Sequence, residues 1–288
     1  MSEVPDRPSA VDEALRRLGV RPARELGQSF LVDRFAADAL AALAEPSEGS
    51  PTFEVGGGLG IVTRALLERG ARPLTVVERD RRLAAHLART FGDALTVRVQ
   101  DARGFPFPEE ATVVGSLPYA AGTTIVLELL RRRVRRFAVI LQKEVADRLA
   151  AGPGSRAYGR PSVLARLYGD VELWRELGPE SFYPRPRVTS RLLSFRARDG
   201  PLPVPAVEGL EAVLRSLFSS RRKQLGNLLP RLAATDAAAA SLARAADWPD
   251  GWERLRPEQL EPEAFFRLAR AVGTPARPRS PSRRRPTG

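Results

Sequence analysis

Two hydrophobic periodicities alternate along the first 200 residues, and together they predict an α/β fold. Short apolar runs typical of buried strands lie at Pro51–Gly56, Leu74–Glu78, Leu95–Gln100, Ala111–Gly115 and Phe137–Leu141. Amphipathic stretches typical of helices lie between them, at Ile61–Arg69, Arg81–Thr90 and Thr123–Arg131. Strands that are apolar on both faces and separated by helices indicate a parallel sheet covered on both sides, as in doubly wound α/β folds.

The flanking regions follow a different pattern. Residues 1–50 are helical in periodicity, with a break at 27–29, and two β-like segments follow the alternating region at Val171–Leu177 and Thr189–Arg196. A proline-rich stretch at 200–206 resembles a linker, and beyond it the pattern is helical again. The helices predicted there are Val207–Phe218, Arg222–Leu232, Asp236–Ala246 and Pro262–Val272.

These patterns predict three parts. Residues 1–199 form a helical lead-in followed by the α/β domain, and residues 200–273 form a small all-α domain. Residues 274–288 carry five arginines, no acidic residue and several prolines and serines, a composition typical of a disordered tail.

The chain of 288 residues has a net charge of +12, and all but two of its 46 basic residues are arginine. A GC-rich genome, which favours arginine codons, is one explanation for this excess. An anionic partner, above all a nucleic acid, is the other. Because five of the positive charges lie in the predicted tail, the excess over the folded part is smaller than the total indicates.

Several classes of protein are excluded by what the sequence lacks. It has no cysteine, which excludes disulfides, thiolate zinc sites, iron–sulfur clusters and cysteine nucleophiles. With His86 as its single histidine, a multi-histidine metal site is excluded too, and we expect no metal. No apolar run approaches the roughly 18 residues of a membrane span, and the first residues lack the apolar core of a signal peptide. We therefore expect a soluble, cytoplasmic protein without a membrane partner.

A glycine-rich loop follows the first predicted strand, where Gly56, Gly58 and Gly60 alternate after Glu54. Such a loop allows close approach of a ligand to the backbone at a helix N-terminus. The third glycine of the dinucleotide fingerprint would fall at Ile61, so that fingerprint fails. A nucleotide-like ligand and a simple tight turn both remain open for a loop of this kind.

Acidic residues at the ends of the next two strands narrow the choice of ligand. Glu78 ends the second strand and could accept hydrogen bonds from two ribose hydroxyls, and Asp101 follows the third and could accept one from an adenine amine. Acidic residues also suit S-adenosyl-L-methionine, which carries a sulfonium and an ammonium but no phosphate. Solvated strand ends are the alternative for either acid alone, but their shared position beside the glycine loop favours a cofactor site.

The fourth strand runs into Ser116-Leu117-Pro118-Tyr119. The exocyclic amine of adenine is a weak nucleophile because its lone pair is delocalised, so an enzyme can assist by accepting both amine protons. The Ser116 side chain and the Leu117 carbonyl could do so, Pro118 would stiffen the loop, and Tyr119 offers a stacking face. An ordinary proline turn beside a buried tyrosine is the alternative.

Nine ordered stretches carry a resemblance to the KsgA/Dim-type ribosomal RNA adenine N6,N6-dimethyltransferases, which are related to the Erm macrolide-resistance methyltransferases. The resemblance covers about residues 20–273. The nine stretches are Leu26–Leu31 (LGQSFL), Glu54–Gly60, Glu78–Asp80, Gln100–Ala102, Ser116–Tyr119 (SLPY), Gln142–Leu149 (QKEVADRL), Pro153–Gly159 (PGSRAYG), Ser181–Val188 (SFYPRPRV) and Arg221–Asn227 (RRKQLGN).

This resemblance implies a Rossmann-like class I methyltransferase domain and a helical rRNA-binding domain. It also implies dimethylation of two adjacent adenines near the 3′ end of small-subunit rRNA, in the immature 30S subunit, as a step of ribosome biogenesis. The cofactor contacts it implies fall at Ser29, Leu31, Gly56, Glu78, Asp101 and Ser116, with Glu54, Gly58 and Gly60 completing the predicted loop. The target adenine would stack on Tyr119, with Phe182 as a second aromatic face, although plain core packing is the alternative for Phe182. We expect a monomer.

Two family asparagines are serine here, Ser29 and Ser116. Because a serine hydroxyl is shorter than a carboxamide, Ser116 leaves two hypotheses: an active enzyme, which the retained acids and Tyr119 favour, or an rRNA-binding assembly factor with weakened catalysis. An Erm-like enzyme acting on large-subunit rRNA is a third. For RNA contacts we favour Arg221, Arg222 and Lys223 over the run of arginines at 131–136, since charge runs are commonly solvated faces.

Overall fold

The computed structural model describes residues 4–23, 27–46, 49–198, 205–234, 240, 248 and 250–273. The chain divides into two compact units, residues 1–200 and 201–288. The helices of the first unit are α1 (Pro8–Arg17), α2 (Arg34–Ala44), α3 (Ile61–Glu68), α4 (Arg81–Phe91), α5 (Gly122–Arg131), α6 (Lys143–Ala150) and α7 (Arg160–Tyr168). Its strands are β1 (Phe30–Leu31), β2 (Thr52–Val55), β3 (Leu74–Glu78), β4 (Thr96–Val99), β5 (Thr112–Ser116), β6 (Arg136–Gln142), β7 (Gly169–Leu177), β8 (Phe182–Tyr183) and β9 (Ser190–Ala197).

Seven strands form one twisted sheet in the order β4-β3-β2-β5-β6-β9-β7. The first five are parallel, and β9 is antiparallel to both of its neighbours, β6 and β7. The predicted doubly wound α/β class is therefore confirmed, with two antiparallel strands added at one edge. Within this sheet the first strand along the chain is β2, which lies between β3 and β5, so the chain order reverses between β2 and β5. In folds of this class a ligand binds at such a reversal, beyond the carboxyl ends of the strands.

The core of the first unit lies on both faces of the sheet. On one face, α2, α3 and α4 pack on the strands, and burial of each large aliphatic side chain there contributes about 1.5–3 kcal/mol. Fully buried members of this cluster include Leu40, Leu66, Val76, Leu87, Val114 and Ile140. Side chains alternate across a strand, so Val113 and Val139 point to the opposite face, where they are also fully buried. The strand ends are thus held on a rigid frame.

The second unit contains α8 (Pro205–Phe218), α9 (Leu225–Ala233) and α10 (Pro262–Gly273), joined in part by two short 3₁₀ turns. Leu214, Leu217 and Leu268 are fully buried within it, and the rings of Phe218 and Phe265 stack with centroids 5.5 Å apart. These helices coincide with three of the four predicted there. Except for Ala240, the predicted helix Asp236–Ala246 lies outside the described residues, as do the predicted tail and most of the predicted linker.

No helix within the described ranges is long and apolar enough to cross a membrane.

Candidate functional site

Four neighbouring strands bring the predicted site residues to one edge of the sheet. In the order β4-β3-β2-β5, their carboxyl ends lead to Asp101, Glu78, the glycine loop and Ser116. The ends of β3 and β4 are joined directly, because the Gln100 N–H donates to the Glu78 carbonyl over 3.1 Å. Gly56 and Ser116 are 60 positions apart in the sequence, and the parallel sheet makes them neighbours.

Glu78 is the best-positioned acid of this edge. The Gly58 N–H donates to its Oε2 over 3.1 Å and the Asp80 N–H to its Oε1 over 2.9 Å, so the glycine loop and the start of α4 hold the carboxylate from two sides. Burial raises the pKa of Glu78, and these backbone hydrogen bonds oppose that rise. Gly56, Gly58 and Gly60 all have positive φ, which favours glycine at these three positions.

Glu54 lies deeper than the other acids. Its side chain is 1% exposed, and its Oε2 accepts a 2.6 Å hydrogen bond from the hydroxyl of Thr63 on α3. Burial, and to a smaller extent the nearby Glu78 carboxylate, raises the pKa of Glu54 to about 7. Glu54 therefore exchanges a proton near neutral pH, which the sequence alone did not indicate.

The Asp101 carboxylate forms an ion pair with Arg103. Arg103, two residues along the chain, donates from its backbone N–H over 2.9 Å and from its guanidinium to both carboxylate oxygens, the shortest of these contacts being 2.6 Å. These interactions hold the pKa of Asp101 below its ordinary value, with the side-chain hydrogen bond from Arg103 as the largest cause. A ligand amine that binds Asp101 would therefore share this carboxylate with Arg103.

The segment Gly27–Leu31 lies against both the glycine loop and the Ser-Leu-Pro-Tyr turn. A Cβ atom built on Gly58 would lie 3.2 Å from the Phe30 ring, and one built on Gly27 would lie 2.9 Å from the Cβ of Tyr119. Ser29, which lies between Gly27 and Phe30 in the chain, is half-buried. The Leu31 side chain is buried in the cluster that α2 contributes to, so only its backbone is available for a ligand contact.

The turn after β5 presents two hydrogen-bond acceptors and an aromatic ring. Ser116 is half-buried at the end of β5, and the Leu117 N–H still donates to the Ile140 carbonyl over 3.1 Å. The Pro118 carbonyl accepts from the N–H groups of Ala121 and Gly122 at 3.0 and 2.8 Å, which starts α5. Within the described residues, no backbone N–H is found donating to the Leu117 carbonyl, so that oxygen remains an acceptor at the turn.

Phe182 takes the packing role that was the alternative for it. Its side chain is 2% exposed and belongs to the same core cluster as Leu31, its partner in the two-stranded β1–β8 ladder. A ring buried to this extent presents no open face to a base, so core packing accounts for its position in this structure. The next residue, Tyr183, pairs with Phe30 and directs its hydroxyl to Asp12 on α1, over 2.5 Å.

The two basic clusters differ in their ion pairs. In the run 131–136, the Nε atom of Arg132 lies 2.8 Å from Oε1 of Glu128. The Nε atom of Arg133 lies 3.3 Å from Oε1 of Glu109, and Arg136 pairs with Glu45. In the second unit Arg221 pairs with Glu258, whereas Arg222 and Lys223 are exposed, and neither has an ion pair among the described residues. The described chain thus neutralises much of the first run and leaves two cations of the second cluster in solvent.

Sequence reasoning missed three polar partners of the site. Thr63 and Arg103 bond the acids, and Ser190 on β9 bonds the hydroxyl of Tyr119 over 2.7 Å. No local signal indicates Ser190, because it is 71 residues away from Tyr119 in the chain. The described residues contain no group of three or more His, Cys, Asp or Glu side chains that could hold a metal ion.

Comparison with known proteins gives relatives that cover more than nine-tenths of the chain. Residues 21–260 match the family described as "Ribosomal RNA adenine dimethylase". A protein of Streptomyces coelicolor named Ribosomal RNA small subunit methyltransferase A is 38% identical over 276 residues, covering 91% of this chain and 95% of that protein. One of the same name from Xanthobacter autotrophicus is 36% identical over 285 residues, covering 93% of this chain and 95% of that protein.

Two solved structures are similar in fold. A dimethyladenosine transferase from Plasmodium falciparum superposes with a TM-score of 0.70 at 20% identity, covering 83% of this chain and 95% of that one. The 23S rRNA methyltransferase ErmE superposes with a TM-score of 0.60 at 26% identity, covering 84% of this chain and 99% of that one.

Proposed function

Because the chain belongs to the ribosomal RNA adenine dimethylase family, we propose that it methylates small-subunit rRNA. In this proposal, methyl groups pass from S-adenosyl-L-methionine to the N6 amines of two adjacent adenines in the 3′-terminal hairpin of that RNA, in the immature 30S subunit. Relatives that cover more than nine-tenths of the chain carry the name Ribosomal RNA small subunit methyltransferase A, which supports this choice of substrate.

The observation that carries the proposal is the arrangement at the reversal of strand order. The glycine loop after β2 and the Ser116–Tyr119 turn after β5 follow adjacent parallel strands, with Glu78 on the next strand. A methyl donor held by the loop and Glu78 would thus lie beside a base held by the turn. Proximity of this kind, fixed before the reaction, lowers the barrier by removing the entropy cost of bringing the reactants together.

The residues present fit S-adenosyl-L-methionine, which when bound supplies a methyl group on a positively charged sulfur. The Gly58 and Asp80 N–H groups each donate to one oxygen of Glu78, and an ionised carboxylate has about four acceptor positions, so capacity remains for a ribose hydroxyl. A Cβ atom built on Gly56 would meet nothing within 4 Å, so the loop leaves space for a ligand. We propose Asp101 for the adenine amine, and the backbone of residues 29–31 for one side of the ligand.

On the substrate side, we propose that Ser116 and the Leu117 carbonyl orient the target amine. Both are acceptors, and by taking the two amine protons they would direct the nitrogen lone pair out of the ring plane. The half-buried ring of Tyr119 would hold the flipped base by stacking, which contributes about 1–3 kcal/mol per base. Adenines in an RNA loop are suited to this because they can be splayed out without opening a duplex.

Methylation of large-subunit rRNA is the second candidate, and the similarity to the ErmE structure favours it. The greater identity to the small-subunit methyltransferases, 36–38% against 26%, supports the first. The test uses purified protein, labelled S-adenosyl-L-methionine and each ribosomal subunit from a strain that lacks these methyl groups. Label in the adenine pair of the small subunit would support the proposal, and label in the large subunit alone would support the second candidate.

The assembly-factor hypothesis rests on Ser116 and has its own test. If the protein binds immature small subunits but transfers no label, catalysis has been lost and both methyltransferase candidates fail. The variant Ser116→Asn separates a weakened acceptor from an adapted one. We expect its rate to be unchanged or raised by up to about tenfold, since one hydrogen bond of about 1–1.5 kcal/mol is involved. A strong loss would show that the site is adapted to serine.

A further inference from the structure

We propose that Ser190 and Gly27 are positioning residues that fix the ring of Tyr119 in place before the target base arrives. This inference rests on the proposed function, in which the ring of Tyr119 is the face on which the target adenine stacks. Neither residue would touch the substrate amine. Their effect would come from the orientation that they impose on the ring.

Ser190 holds the far end of the tyrosine. Its Oγ lies 2.7 Å from the Tyr119 hydroxyl, and its side chain is 0% exposed, so water cannot replace the contact at the serine. Burial raises the pKa of Tyr119, which keeps the phenol protonated and able to hydrogen-bond at neutral pH. The hydrogen bond to Ser190 fixes the position of this hydroxyl and so limits rotation of the ring.

The serine is itself immobile because three strands meet at it. Ser190 is the first residue of β9 and pairs with Gln142 of β6 on one side and with Leu177 of β7 on the other. The preceding carbonyl, that of Thr189, accepts the Lys143 N–H over 2.9 Å. The Nη1 atom of the following residue, Arg191, lies 2.5 Å from Oδ1 of Asp147 on α6. The antiparallel edge of the sheet therefore provides a fixed anchor for a ring on the parallel part.

Gly27 limits the near end of the same side chain. A Cβ built there would lie 2.9 Å from the Cβ of Tyr119, closer than real Cβ atoms approach other atoms, and 3.5 Å from its ring carbon Cδ2. The backbone of Gly27 has φ +66°, a conformation that side chains disfavour. Glycine at this position thus allows the segment before β1 to pack directly on the tyrosine.

Held at both ends, the side chain keeps one rotamer without the substrate. A ring that is ordered in advance loses no further conformational entropy when a base stacks on it, and it holds the base at the angle that methyl transfer requires. We therefore expect loss of the anchor to slow the chemical step more than it weakens RNA binding, because other contacts dominate the docking of a whole ribosomal subunit.

The experiment compares Ser190→Ala with Ser194→Ala. Ser194 is the matched control because it lies on the same face of β9, four residues along, where its hydroxyl instead accepts from the Trp174 indole N–H over 3.0 Å. We measure the single-turnover rate at saturating small subunits, the KM for subunits and the thermal unfolding of each protein. We expect Ser190→Ala to lower the rate about five- to tenfold with little change in KM, and Ser194→Ala to match the unmodified protein.

A double-mutant cycle with Tyr119→Phe completes the test, since that change removes the other half of the same hydrogen bond while keeping the ring. We expect the two single variants to have similar effects and the double variant to be no slower than either. Additive losses, or equal rates for Ser190→Ala and Ser194→Ala, would overturn the inference while leaving the proposed function standing. Absence of methyl transfer by the unmodified protein would contradict both.

Discussion

At the scale of single residues, the carboxylates of the site differ because their surroundings differ. Burial raises the pKa of Glu54 to about 7 and also raises that of Glu78, whereas the Arg103 guanidinium lowers that of Asp101. The Glu54 carboxyl therefore exchanges its proton near neutral pH, whereas the Asp101 carboxylate stays ionised at acidic pH. This difference arises from position in the fold and is not visible in the residue types.

The raised pKa of Glu54 predicts a pH-dependent stability. The folded protein holds the proton up to about pH 7, whereas the unfolded chain releases it near 4.5, so the free energy of unfolding falls as pH rises through this window. The loss is roughly 3 kcal/mol over the whole window. We expect Glu54→Gln to remove this contribution, so that denaturant unfolding at pH 5 and pH 8 differs less for the variant. Equal pH dependence in the two proteins would contradict the assignment.

The ion pair at Asp101 predicts competition with the cofactor. If Arg103 shares the oxygens that an adenine amine needs, Arg103→Leu should tighten binding of S-adenosyl-L-methionine up to about fivefold, because a partly exposed ion pair contributes no more than about 1 kcal/mol. Arg82→Leu is the control, since Arg82 pairs with Asp80 at the same two-residue spacing. Isothermal calorimetry measures both. Weaker binding by the Arg103 variant would mean that Arg103 holds the cofactor rather than competing with it.

Residues at strand ends could be predicted from the sequence, and their partners could not. Glu78 and Asp101 were identifiable because a parallel sheet places successive strand ends together. The contacts that tune them, from Thr63 and Arg103, depend on helix orientation and side-chain rotamers. Phe182 is a second example: its proline-rich loop beside a tyrosine favoured a ring that faces the site, whereas the ring is buried in the core and its strand β8 pairs with β1.

At the scale of elements, strong periodicity predicted boundaries well. The strand Leu74–Glu78 was predicted to the residue, and the other parallel strands to within two. The two-residue strands β1 and β8 were missed because a segment that short has no periodicity, and only pairing across about 150 residues defines it. The antiparallel direction of β9 could not be predicted from the sequence either, because a local hydrophobic pattern does not indicate which strand will be its neighbour.

The segment before β1 predicts a selective effect of one glycine. Gly27→Ala and Gly70→Ala both place a side chain at positive φ, which costs about 1–2 kcal/mol of stability. Only at Gly27 does the new Cβ meet Tyr119, whereas at Gly70 it meets nothing within 4 Å. We therefore expect both variants to unfold at lower temperatures than the unmodified protein, with Gly27→Ala the less stable of the two because of this clash. In an assay run well below both unfolding temperatures, we expect methyl transfer to fall only for Gly27→Ala. Equal activities would show that the contact with Tyr119 has no functional consequence.

At the scale of the whole molecule, the net charge of +12 is a poor guide to where RNA binds. Several arginines of the run 131–136 pair with glutamates, whereas Arg222 and Lys223 are exposed in the second unit. We propose that this unit contacts rRNA through those two cations. To check this, we compare two double variants. In one, Arg222 and Lys223 are replaced by glutamine, and in the other, Arg132 and Arg133 are.

Salt dependence distinguishes the two pairs, because each phosphate contact contributes about one unit to the slope of log affinity against log salt. We expect the slope for binding of small-subunit RNA to fall by about two for the Arg222/Lys223 variant and to stay unchanged for the Arg132/Arg133 variant. Equal decreases would indicate diffuse attraction by the overall charge, and no decrease would exclude the second unit's cations as phosphate contacts.

Methylation of adenine in small-subunit rRNA by this chain is tested most directly by mapping the transferred label. Purified protein is incubated with labelled S-adenosyl-L-methionine and small subunits that lack the modification, and the labelled nucleotides are identified by mass spectrometry. The predicted result is N6,N6-dimethyladenine at two adjacent positions of the 3′-terminal hairpin, lost on Glu78→Ala. Unlabelled small subunits under conditions where the protein binds them would contradict the claim.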